Sequence, residues 1–121
     1  KIPAPVTAKE AYLGIGQNGA NPKIVIGVQY AKSVNNRTNL YALYYTGGAD
    51  EVVDMTYAVD GQRHTYVIAG DTTQTKIAVD GVLVHTHASL TQVPVTATQL
   101  VGYCTSGYNL DLYRAMVGTV G

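Results

Sequence analysis

The stretch DEVVDM, residues 50–55, carries three carboxylates in six positions, and paired carboxylates are the usual tools of glycoside hydrolysis. That chemistry needs two of them facing one cleft, which on a strand means alternate positions. Glu51 and Asp54 stand three apart, so an extended backbone sends them to opposite faces. The only other glutamate is Glu10. The acid–base pair is absent, and the chain reads as non-enzymatic. The same carboxylates, Asp50, Glu51 and Asp54, follow TGG in a segment that reads as a loop. Hard oxygen ligands on a loop suit Ca2+, but no full ligand set is legible, and a solvated loop is the plainer reading. No cofactor is expected; Ca2+ is the one ion considered there.

The histidines suggest two further chemistries. His85 and His87 in VHTHA lie at i and i+2 and share one face of a strand. That spacing supports a Zn2+ or Ni2+ pair, although no third ligand is evident. His64 follows a DGQR turn and is expected to anchor it by hydrogen bonding. GDTTQT, residues 70–75, lacks the Gly-Lys pair and following helix of a phosphate loop. Cys104, the single cysteine, sits in the apolar run LVGYCTSG. No internal disulfide can form, and a buried, unreactive thiol is expected.

Ten tyrosines stand in a chain without Phe or Trp. A sugar site would need an aromatic platform beside amides and carboxylates. NNRTNLYALYYTGGAD (35–50) and GYCTSGYNLD (102–111) have that mixture. They nominate Tyr44, Tyr45, Asp50, Tyr108 and Asn109 as ligand-binding residues, against a plainer reading of core tyrosines and ordinary turns. Tyr44 and Tyr45 are consecutive, so on a strand one of them must face solvent or a partner.

These side chains have to be positioned by strands. AYLGIG, PKIVIGVQYA, LYALYYT, VVDMTYAV, HTYVIAG, TKIAVDG, VLVHTHA, TQLVGYC and YNLDLYRAMVG are rich in β-branched and aromatic residues. Ile24, Ile26 and Val28 alternate with Val25 and Gly27. Turn signals recur about every ten residues, as in an all-β sandwich or barrel. The two VDG tripeptides, 59–61 and 79–81, read as two-residue hairpin turns. A length of 121 residues fits one domain. Eight basic and eight acidic side chains cancel, leaving no electrostatic footprint for nucleic acid or an acidic membrane. No signal-peptide pattern opens the chain, and no apolar run is long enough to cross a bilayer as a helix.

The segment YAVDGQRHTYVIAGDTTQTKIAVDGVLV, followed by QLVGY and NLDLYRAMVG, resembles a laminin G-like or concanavalin A-like lectin/glucanase domain over about residues 52–118. Arg63 stands where that family often has Trp before the histidine. The resemblance implies one domain over 1–121, an antiparallel jelly-roll-like β-sandwich. The resemblance names no ligand, since its members include sugar binders, protein binders, hydrolases and structural modules; the expected function is a non-catalytic recognition or attachment module, with carbohydrate as the expected ligand. The alternative is a structural protein that decorates or builds a particle such as a phage virion, with partners that are copies of itself or other particle proteins. A charged fraction of 13%, about half the usual share, agrees with that setting. A virion or extracellular surface is the expected location.

Overall fold

A computed structural model describes residues 1–5, 9–16, 23–28, 38–45, 50–70, 74–87, 99–104, 107 and 109–116. Among them the protein is all-β, with no helix. The strands are β1 (Ala11–Gly16), β2 (Lys23–Val28), β3 (Asn39–Tyr45), β4 (Asp50–Ala58), β5 (Tyr66–Gly70), β6 (Thr75–Val79), β7 (Val82–His87) and β8 (Gln99–Cys104). They form two antiparallel sheets, one of five strands in the order β4-β3-β2-β1-β8 and one of three in the order β5-β6-β7. Sequence neighbours pair within each sheet, and only β8 returns from a distance, beside β1.

Alternation fixes which side chains meet between the sheets. Ile15, Ile24, Tyr44 and Glu51 form one row across β1 to β4, and Leu13, Ile26, Ala42 and Val53 form the next. Ile24, Ile26, Val28, Leu40, Ala42 and Tyr44 share a buried cluster with Ile77 and Val79 of β6. The opposite face of the five-stranded sheet is also covered at its centre. Val25, Tyr41, Leu43 and Val101 are buried there, with Tyr12 and Val52 packed against them. Strands buried on both faces read as near-continuous apolar runs, which explains KIVIGV and LYALYY. Gly27 lies opposite Tyr41 in the register. A Cβ there would stand 2.4 Å from the Ala11 carbonyl oxygen and 2.8 Å from the Tyr41 hydroxyl, so only glycine lets the phenol cross.

The two Asp-Gly pairs have different fates. Asp80 and Gly81 join β6 to β7 with φ of 50° and 81°, the two positive values a tight hairpin turn demands. The hairpin expected over 64–84 is present as β5, β6 and β7. Asp60-Gly61 is not a hairpin turn: it carries the chain from β4 of one sheet toward β5 of the other, and only Gly61 has positive φ (74°).

Three more expectations are corrected. Asp50, Glu51 and Asp54 are not in a loop but in β4, because pairing with β3 continues through Tyr45↔Asp50. The strand expected over 108–118 is absent from the described residues 109–116. Cys104 is exposed rather than buried. It ends β8, an edge strand with a neighbour on one side only, so apolar residues beside it in sequence do not supply cover.

Candidate functional site

The structure takes Tyr44 out of the proposed sugar platform. Tyr44 is fully buried between the sheets, where its ring stacks on His87 at 3.9 Å between centroids. Burial, then the Glu51 carboxylate, pushes its hydroxyl pKa well above the ordinary tyrosine value. It cannot offer a face to a pyranose. Asn109 is exposed. Tyr108 and the side chains of Tyr45 and Asp50 lie outside the described residues. Glu51 and Asp54 point to opposite faces of β4, as their spacing requires. Glu51 shares the Tyr44 row, and Asp54 accepts from the Asn39 side chain at 3.1 Å and the Thr56 amide at 2.8 Å. Asp54 thereby holds a bulge at which Thr56 takes φ of 57°. The Glu51 and Asp54 carboxylates do not converge, and among the described residues no group of three His, Cys, Asp or Glu could hold a metal ion.

His64 does anchor its turn, and a second one as well. Its Nδ1 lies 2.6 Å from Asp80 Oδ2, and its Nε2 lies 2.9 Å from Asp60 Oδ1. Carboxylates of the two VDG tripeptides, twenty residues apart in sequence, thus close on one imidazole. Asp60 Oδ1 also accepts from the Gln62 amide and Asp80 Oδ1 from the Thr65 amide. Ionised carboxylates only accept, so the two contacts favour the ring with both nitrogens protonated. Its pKa is raised, first by the Asp80 hydrogen bond and then by Asp60. Both aspartates are lowered, by the backbone amides first and the histidine second. Held through both ring nitrogens, His64 clamps the two turns together.

Beside the clamp runs a groove of about 610 Å3. Leu13 and Ile15 of β1, Leu100 of β8, residues 66–68 of β5 and residues 112–116 line it. Both β5 and β8 are sheet edges. Eight large apolar side chains are exposed among the described residues, and five of them, Val67, Leu100, Leu112, Tyr113 and Met116, line this groove. The basic groups there are Lys1, Arg63 and Arg114, beside His64, whose ring is held by Asp60 and Asp80. Arg63 lays its guanidinium over the Tyr113 ring at 4.2 Å.

Sequence reasoning missed this surface. Its two traces in the sequence are the LYRAM run, which has the composition of a closing strand, and Arg63 in place of an expected Trp. The groove sets exposed apolar side chains beside basic ones. Compared with protein-family models, curated proteins and solved structures, the chain matches none.

Proposed function

We propose that this protein is a non-catalytic structural module that assembles with copies of itself. The observation that carries the reading is the concentration of five exposed large apolar side chains in one groove. Contiguous apolar surface of this kind marks an interaction site. Charge names the occupant. The groove is cationic, at the β8 end of the five-stranded sheet, whereas β4 is the opposite end of that sheet. There DEVVDM presents exposed Glu51 and Asp54 on an edge strand with Val52 and Val53 between them. A neutral chain polarised in this way suits head-to-tail contact, in which one copy's β4 edge enters the next copy's groove. Such heterologous contacts build rings or filaments. The finer fold assignment, a jelly-roll-like sandwich of laminin G type from a particle such as a virion, belongs to the same proposal. It is supported by the two-sheet arrangement and the DG-and-His element.

Light scattering after size exclusion, over a concentration series at low and high salt, tests the reading. Oligomers that dissociate with salt are expected, because screening weakens exposed charge pairs. Leu112→Asp with Met116→Asp should leave a folded monomer. A wild-type monomer at every concentration refutes self-assembly. Carbohydrate is the second reading, favoured by the exposed Tyr113 ring in the groove. A monomer that binds on a glycan array, and loses binding in Tyr113→Ala, would establish it.

A further inference from the structure

Resting on the self-assembly reading above, we propose that His64 is a proton switch for the groove: the protonated ring ties two turns together and fixes part of the groove wall, and loss of the proton loosens that wall and weakens assembly. The starting observation is where the clamp sits. Asp60 belongs to the connection that carries the chain from β4 of one sheet toward β5 of the other, and Asp80 to the turn between β6 and β7. His64 reaches both, with Nε2 at 2.9 Å and 3.1 Å from the two oxygens of Asp60 and Nδ1 at 2.6 Å from Asp80 Oδ2. Its chain neighbours Arg63 and Thr65 line the groove with it, and Arg63 lies over the Tyr113 ring at 4.2 Å. One short segment therefore carries both the clamp and part of the groove wall.

The two halves of the clamp differ in what else holds them. On the Asp80 side, Thr65 donates its amide to Asp80 Oδ1 at 2.9 Å and its carbonyl accepts from the Asp80 amide at 2.8 Å. Those bonds need no proton on His64. On the Asp60 side the Gln62 amide bond lies inside the same turn, so His64 Nε2 is the tie that reaches out of it. A neutral imidazole has one N–H. It keeps that proton on Nδ1, toward the shorter contact with Asp80, and turns the Nε2 lone pair toward the Asp60 carboxylate. That contact becomes repulsive, and the two aspartates are left without a counter-charge between them. The Asp60 end opens, and with it the segment that sets Arg63.

Among the described residues that face it, His64 is the one that titrates near neutral pH. Tyr57 of β4 and Tyr66 of β5 each lie at 6.2 Å between ring centroids, with the rings 88° and 74° from parallel, and burial first raises both phenols. Asp60 and Asp80 are lowered, by backbone amides first, and the adjoining Arg63 keeps its charge throughout. The Asp80 and then the Asp60 hydrogen bond raise His64, so its transition falls above the ordinary value of about 6.5. The side chain is 15% exposed, enough to exchange its proton with solvent. Both consequences of proton loss act in one direction. The wall that carries Arg63 loosens, and a positive charge disappears beside a groove that receives Glu51 and Asp54 of the next copy. Assembly is therefore tighter below the transition and weaker above it. By linkage, assembly in turn raises the His64 pKa.

The test is light scattering after size exclusion at about pH 5.5 and about pH 8.5, at constant ionic strength. It is joined to an NMR titration at low concentration that follows the His64 imidazole and the Tyr113 ring. The expected result is self-association about tenfold tighter at the lower pH, equivalent to a His64 pKa about one unit higher in the oligomer. The Tyr113 ring should shift with the midpoint of His64. His64→Gln should remove the pH dependence of both readouts. Asp60→Asn, whose amide can accept from the Gln62 N–H and donate to a neutral Nε2, should stay assembled at both pH values. Wild-type oligomers of equal strength at both pH values overturn the switch and leave self-assembly standing. So does a pH dependence that persists in His64→Gln, which would assign it to another group. A monomer at every pH refutes self-assembly, and the NMR titration then decides the switch: a Tyr113 midpoint shared with His64 supports it, and a Tyr113 ring indifferent to that titration overturns it.

Discussion

Three glycines of the strands and turns should respond to alanine in three different ways. At Gly27 the new Cβ would meet the Ala11 carbonyl oxygen at 2.4 Å and Tyr12 Cβ at 2.6 Å. The first is backbone and the second is fixed to it, so β1 and β2 must separate locally. Overpacking of this kind costs about 1–3 kcal/mol. The reduced entropy of the unfolded alanine chain offsets about 0.4–1 kcal/mol. Because backbone must move, the upper part of the first range applies, and the net loss is about 2 kcal/mol. For 121 residues each kcal/mol is worth about 4 °C, so Tm should fall by about 8 °C. At Gly81 a Cβ meets nothing within 4 Å, but φ is +81°; the cost is conformational, about 1–2 kcal/mol. At Gly102 the nearest atom is Leu110 Cδ2 at 3.5 Å, an ordinary contact. There alanine acts only on the unfolded chain and should raise Tm by about 2 °C. Differential scanning calorimetry of the three variants measures the series. Gly27→Ala melting at or above the wild type, or Gly102→Ala falling as far as Gly27→Ala, refutes the close approach of β1 and Tyr41.

The His64 clamp predicts a pH profile. Its raised pKa contributes stability present below about 6.5 and lost as pH rises through the folded value. The lowered Asp60 and Asp80 contribute stability present above about 3.9 and lost as pH falls through their folded values. The clamp should therefore be strongest between about pH 4 and 6.5. His64→Gln should lower Tm most in that window, and a uniform drop across pH would show that the clamp carries no charge. Exposed Cys104 should react at once with a thiol reagent on the native protein; labelling only after unfolding contradicts its place on the β8 edge. Thr56 is β-branched at φ 57°, so Thr56→Gly should gain about 1 kcal/mol in urea unfolding, and a loss would mean that the threonine side chain stabilises the bulge.

Much of the frame was legible from local chemistry. Strand and turn positions follow from β-branched runs and from Gly, Asp and Asn, whose backbone preferences act over a few residues. The Asp80-Gly81 turn, the shared face of His85 and His87 and the opposed faces of Glu51 and Asp54 needed only a period of two. The failures are informative in the same terms. Cys104 has apolar neighbours in sequence but lies on an edge, and NLDLYRAM has strand composition but no strand pairing among the described residues. Burial and pairing are properties of what lies across space.

The sequence by itself determined that this chain forms short antiparallel strands with tight turns, and which residues of each strand share a face. Those are consequences of backbone sterics and side-chain alternation, both local. Only the tertiary structure decided which strands sit together and what faces what. It brought Asp60 and Asp80 to one imidazole, took Tyr44 into the core against His87, set Glu51 of one sheet beside His87 of the other, and left an apolar groove with basic side chains between two sheet edges. These juxtapositions depend on the order of strands in each sheet and on how the sheets pack, and neither is encoded in any single stretch of residues.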